Sequence, residues 1–220
     1  MNYLNKGNDG FASLRNSKFV DKSLLIAEVN SAMMTENRFL CVTRARRFGK
    51  SVAVKMLNAY YDKSCDSQNL FQGLAISKDE DFEKHLNRYP VLYLDMTDFV
   101  TKYGNDEQLV EHIKRDICEE LLELYKGVVM KPNDDLMDLL VSIVNQTGEK
   151  FVCLIDEWDA LCREGQEKQM DEYVNLLRRL FKGSMSEYVF ACSYMTGILP
   201  IKRYNLSLIH ISEPTRPERI

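Results

Sequence analysis

Long apolar runs are missing from this sequence. No stretch approaches the roughly 20 residues that cross a bilayer as a helix, so no membrane partner is expected. An excess of positive charge is missing too. The net charge is −4, so any basic site has to be local rather than spread over the surface. Zinc-type spacing is absent: Cys41, Cys65, Cys118, Cys153, Cys162 and Cys192 include no C-x-x-C pair, and no histidine sits near them at finger spacing. Cys41, Cys153 and Cys192 lie inside apolar runs, where a thiol acts as a small hydrophobe. Reduced, structural cysteines in a cytoplasmic protein are the expectation. The start, Met1-Asn2-Tyr3-Leu4-Asn5-Lys6, lacks the apolar stretch of a secretory signal. Internal repeats and low-complexity linkers are also missing.

What remains is ordinary soluble material, 45% hydrophobic and 28% charged over 220 residues. That suits one large domain or two small ones. Strand-like and helix-like segments alternate. Arg38-Phe39-Leu40-Cys41-Val42 reads as a strand, and 51–61 as a helix with Val52, Met56, Leu57 and Tyr60 at helical spacing. Pro90 precedes a second strand over 91–96. Residues 106–125 place Leu109, Ile113, Ile117, Leu121 and Leu124 on one helical face. Leu136, Leu139, Leu140, Ile143 and Val144 mark another helix. The uniformly apolar Phe151-Val152-Cys153-Leu154-Ile155 predicts a strand covered on both faces. Met170, Tyr173, Val174, Leu177, Leu180 and Phe181 predict a helix, and Tyr188-Val189-Phe190-Ala191-Cys192 a fourth strand. Such alternation implies crossover connections and a mostly parallel α/β sheet.

Phe48-Gly49-Lys50-Ser51 closes a stretch that resembles a phosphate-binding loop. It lies between a strand and a helix, as the pattern G-x-x-x-x-G-K-[ST] requires, but Arg44 stands where the first glycine belongs. In such a loop Gly49 permits close approach, Lys50 reaches the β- and γ-phosphates, and the Ser51 hydroxyl holds Mg²⁺. Arg44 can follow that path if its φ stays negative, and Arg46 and Arg47 add local positive charge. A solvated basic turn would have the same letters.

The stretch "FVCLIDEWDA" narrows the choice. Asp156 ends an apolar strand, where an acid can hold Mg²⁺. Glu157 beside it can polarise an attacking water. The alternative is that Asp156 and Asp159 only begin a loop or cap a helix. Thr196, at the end of the fourth strand, is a candidate to contact the γ-phosphate or the water, or is part of an ordinary turn with Gly197. Arg178 and Arg179 face away from their helix's apolar stripe, as an arginine finger or as a solvated face. His85 and His112 read as surface residues.

These pieces together resemble the predicted AAA-ATPase-like family of bacterial and archaeal proteins, within the additional-strand phosphate-loop ATPases. The likeness is carried by "FASLRNSKFVDKS" (11–23), "TRARRFGKS" (43–51), "LFQGLAI" (70–76), "YPVLYLDM" (89–96), "LIDEWDA" (154–160) and "TGILPIKRY" (196–204). The family loop reads R-P-R-R-F-G-K-S, so the missing first glycine is a family trait and Ala45 replaces proline. The acid motif D-E-Y-D has Trp158 in place of tyrosine. The resemblance implies a three-layer P-loop fold with ATP and Mg²⁺ as ligands. Arg44, Ala45, Arg46, Arg47, Phe48, Gly49, Lys50 and Ser51 would surround the nucleotide, with Thr196 the candidate added from its place at the strand end. Ser51 and Asp156 would serve the metal, and Glu157 and Lys50 the chemistry. Residues 19–23 would lie near the nucleotide base. Family members often continue into a PD-(D/E)xK nuclease-like domain, which implies a nucleic-acid partner through that domain; a homo-oligomer is a further expectation.

Residues 206–220 stand apart. "LSLIHISEPTR" resembles a sequencing adapter translated in frame, so an ATPase domain over 1–205 and a non-native tail over 206–220 are expected, the alternative being a native extended tail with Pro214 and Pro217. Related sheets run 5-1-4-3-2. A chain stopping near Asn205 would lack the fifth strand, leave the loop-bearing strand at an edge, and be less stable than the intact protein. The function expected is Mg²⁺-dependent ATP hydrolysis driving a switch or motor. The alternatives are a nucleotide switch with little turnover and a nucleic-acid-binding module using the basic loop.

Overall fold

The structure, a computed structural model, describes residues 3–104, 106–163 and 167–200. The expected tail and the family segment after 200 lie outside them. Four parallel strands form one sheet in the order β1-β4-β3-β2. They are β1 (Phe39–Thr43), β2 (Val91–Asp95), β3 (Phe151–Asp156) and β4 (Phe190–Gly197). The helices before β2 are α1 (Asp9–Arg15), α2 (Leu24–Ala32), α3 (Lys50–Tyr61), α4 (Gln68–Phe71), a 3-10 turn (Ala75–Lys78) and α5 (Phe82–His85). Then come α6 (Met96–Tyr103), α7 (Leu109–Leu124) and α8 (Leu136–Thr147) before β3. Between β3 and β4 lie α9 (Ala160–Arg163), α10 (Glu167–Lys182) and α11 (Ser186–Val189).

Period-two alternation sorts the strands' side chains to two cores. Phe151, Cys153 and Ile155 join Leu92, Leu94 and the apolar stripes of α7, α8 and α10. Val152 and Leu154 join Val91, Tyr93 and the helices that precede β2. Every residue of β3 is buried, which explains its uninterrupted apolar sequence. Helices on both faces make three layers. One irregularity pairs Phe151 with Phe190 but Val152 with Cys192, leaving Ala191 as an extra residue.

Several expectations shift in detail. Tyr188 and Val189 belong to the short helix α11, although an aromatic and a β-branched residue favour strand; their amides both bond to Met185 O. Met96 starts α6 instead of extending β2, because the Asp95 carboxylate caps the helix through Thr97 N at 3.0 Å. Leu124, the last residue of α7, is exposed. His85 is buried and hydrogen-bonded to Tyr89 Oη at 2.7 Å. His112 pairs with Asp106 and stacks on Tyr103. Arg179 is committed to Asp135 at 2.7 Å, so it is occupied within the chain.

The sheet's two edges differ. Along β2, Tyr3 to Asn5 runs antiparallel, with Asn5 N donating to Val91 O at 2.8 Å and Tyr93 N to Tyr3 O at 2.7 Å. Glu120 holds that segment by accepting from Tyr3 N and Leu4 N. Among the described residues, no strand pairs with the outer side of β1.

Candidate functional site

The site grows from the C-terminal ends of the strands, where open parallel sheets bind ligands. After β1 the chain turns over Arg44 to Phe48 and enters α3. Arg44 keeps a negative φ; the left-handed positions are Arg47 (φ 70°) and Gly49 (φ 80°). Such alternation turns successive amides toward a common side. Gly49 caps α3, whose twelve residues aim their N-terminus at the same space. Lys22 Nζ steadies the turn by donating to Phe48 O at 3.2 Å. That contact brings residues 19–23 to the loop. The same segment meets 70–76 through Asp21 and Ser23, which accept from Ala75 N and Ile76 N.

Opposite the loop stand the acids. Asp156 is buried and accepts a 2.5 Å hydrogen bond from the Thr196 hydroxyl. Glu157 follows at φ 53°, a conformation that costs a non-glycine residue free energy. Trp158 N, donating to Thr196 O at 2.8 Å, fixes the turn behind it. Lys50 Nζ lies 3.4 Å from Glu157 Oε1 and 3.4 Å from Ala45 O. The lysine of the loop and Glu157, the acid just after β3, far apart in sequence, therefore meet, and Asp156 lines the same cavity.

A cavity of about 680 Å³ separates the two walls. Of the residues expected there, Arg46, Arg47, Gly49, Lys50, Ser51, Asp156 and Glu157 line it. Arg44, Ala45 and Phe48 do not, and all three are exposed. Thr196 is fully buried behind Asp156, with its hydroxyl given to that acid instead of to the open space.

The structure adds residues that the sequence pattern did not single out. Asp95 lines the cavity from the end of β2, Thr97 and Asp98 from the first turn of α6, and Arg163 from α9. Burial, with Asp98 and Asp156 close by, pushes the Asp95 carboxyl above its ordinary value. Its signal was present in "LYLDM", an apolar strand closed by an acid, as in "CLIDE". Arg163 had no such signal. Its Nη2 lies 2.6 Å from Glu157 Oε2. Asp159 is completely buried, and its Oδ2 accepts from Ile198 N at 3.0 Å and Leu199 N at 2.8 Å.

The loop-bearing strand β1 is separated from the acid-ended strand β3 by β4. With the glycine-capped turn into α3, that order defines a P-loop NTPase fold of the additional-strand class. The family described as Predicted AAA-ATPase matches residues 6–207, and the chain belongs to it. No curated protein matches the chain. Among the described residues, no helix is long and apolar enough to cross a membrane.

Proposed function

We propose that the chain is an ATPase module that binds ATP with Mg²⁺ at this cavity and hydrolyses it by in-line attack of water. The observation that carries the reading is the 3.4 Å approach of Lys50 Nζ to Glu157 Oε1 in a cavity that Ser51 and Asp156 also line. Mg²⁺ takes oxygen ligands, and the Ser51 hydroxyl at the start of α3 and the buried Asp156 carboxylate, lining one cavity, are a donor set that fits it. When bound, the ion would neutralise charge on the phosphate oxygens.

The chain's own groups divide the remaining work. Gly49 and the N-terminus of α3 favour anionic oxygens through backbone amides. Lys50 supplies a fixed positive charge, and Arg46 and Arg47 raise the local concentration of polyphosphate. Thr196 holds Asp156 in one orientation. Glu157 accepts the proton of the attacking water. A cytoplasmic setting, suggested by the reduced, structural cysteines, a homo-oligomer, and a further domain that meets nucleic acid, suggested by family resemblance, belong to the same proposal.

A surface for nucleic acid is the weaker reading. Asp95, Asp98, Asp156 and Glu157 face the basic turn across the cavity, and a polyanion lying there would meet those carboxylates. The test is Mg²⁺-ATP binding and phosphate release, beside Lys50→Ala and Glu157→Gln. Lys50→Ala should lose binding. Glu157→Gln should keep binding while turnover drops by about 10²–10⁴-fold, the usual contribution of a positioned base. Undiminished phosphate release from Glu157→Gln would remove the hydrolytic mechanism.

A further inference from the structure

Glu157 has a cation beside each of its carboxylate oxygens. Lys50 Nζ stands 3.4 Å from Oε1 and Arg163 Nη2 2.6 Å from Oε2. The three side chains are 5%, 19% and 22% exposed in the order Lys50, Glu157, Arg163, so solvent and salt screen the pairs only partly. The two cations are held differently. Among the described residues Lys50 has one other polar contact, the 3.4 Å approach to Ala45 O, and it sits where α3 favours an incoming anion. Arg163 has a second acidic neighbour, because its Nε lies 3.9 Å from Asp159 Oδ2. That oxygen is the one fastened to the amides of Ile198 and Leu199 after β4.

We infer that Arg163 is a positioning residue for Glu157, and that the Lys50–Glu157 ion pair restrains the site until a polyphosphate takes Lys50 over. The inference rests on the ATPase reading above. Glu157 and an incoming phosphate compete for one ammonium group. When phosphate wins, Oε1 becomes available to accept a proton from water. Arg163 keeps Oε2, so the carboxylate stays aimed instead of following Lys50 or swinging toward the anion. Without Arg163, Glu157 has Lys50 as its one close cation among the described residues, and its charge faces the polyphosphate less compensated. Both changes weaken nucleotide binding, and both require the Glu157 charge.

A double-mutant cycle on ATP affinity tests this, measured calorimetrically with Mg²⁺ on the full chain. Wild type, Lys50→Ala, Glu157→Gln, Arg163→Ala, Arg163→Lys and the Glu157→Gln/Arg163→Ala double variant are compared. Glu157→Gln should bind about 3–10-fold tighter and Arg163→Ala about 3–10-fold weaker, while the arginine substitution changes affinity less than about 2-fold in the Glu157→Gln background. Arg163→Lys should recover part of the loss. Turnover should follow with a kcat for Arg163→Ala lowered about 10-fold beyond any change in KM. An arginine that merely supports the fold would cost the same affinity in both backgrounds, and that additivity overturns the inference. If wild type binds ATP in a Lys50-dependent way and the cycle is additive, the ATPase reading survives and only this inference falls. If wild type binds no nucleotide, both fall.

Discussion

The two walls of the cavity are built on opposite principles. The acid wall is rooted in the interior. Asp156 lines the cavity while almost completely buried, and Thr196 and Asp159, which do not line it, are buried and held by short, directed hydrogen bonds; Asp95, Asp98 and Glu157 are half-buried. The basic wall is a surface turn whose arginines and Phe48 are exposed, with Lys50 its one buried charge. Burying a carboxylate is costly unless it is hydrogen-bonded, so the acid wall has to be assembled as part of the core. A cationic turn can stay solvated and adapt to what arrives. Preorganisation therefore belongs to the acids and adaptability to the loop.

Substitution on each wall should show that contrast. The largest effect on stability is expected at Gly197. A Cβ there would lie 2.9 Å from Asp159 Oδ1 and closer still to the Trp158 ring. Gly197→Ala should therefore destabilise the fold by about 2–3 kcal/mol through overpacking, read as a lowered midpoint in denaturant. A neutral result would mean that the acid wall yields more easily than its burial implies.

Asp95→Asn should act in the other direction and more weakly. The Asp95 carboxyl is raised by burial and by its acidic neighbours. The folded state thus holds that proton more tightly than the unfolded chain does, and stability contributed by this group falls as pH rises through the raised value. Asparagine keeps the cap on Thr97 N and removes the charge. The variant should gain about 1 kcal/mol or less at neutral pH, after allowance for solvent screening. The gain should vanish when the pH drops below the ordinary carboxylate range. Melting curves at neutral and acid pH decide it. A gain that is constant with pH would point to packing rather than charge.

The smallest effect belongs to the loop. Phe48 is 60% exposed, and Phe48→Ser should change stability by about 0.5 kcal/mol or less, the usual range for surface positions. A larger loss would show that the turn is more tightly assembled than its exposure suggests.

Much of this arrangement was readable in advance because it is written in short windows. Phe151-Val152-Cys153-Leu154-Ile155 is apolar at every position because each side chain enters one core or the other. Gly49 is legible because a left-handed residue is needed where the turn meets α3. Other features were hidden for physical reasons. Tyr188 and Val189 have strand propensity, yet the turn after α10 wraps them into a helix. His85 looks like a surface residue until Tyr89 folds against it. Thr196 could be placed near the site, but only the pairing of β4 beside β3 shows that its hydroxyl goes to Asp156.

The sequence by itself determined the alternation of strands and helices, the cationic turn, and the acids that end apolar strands. Each depends on periodicity or on neighbouring residues, so each can be read locally. Tertiary structure alone decided that β4 lies between β1 and β3, that Asp95 joins Asp156, and that Arg163 and Lys50 share the Glu157 carboxylate. Those outcomes depend on which strands become neighbours and which charges can share one desolvated space. Both are set by the packing of residues remote in the chain, which no short window records.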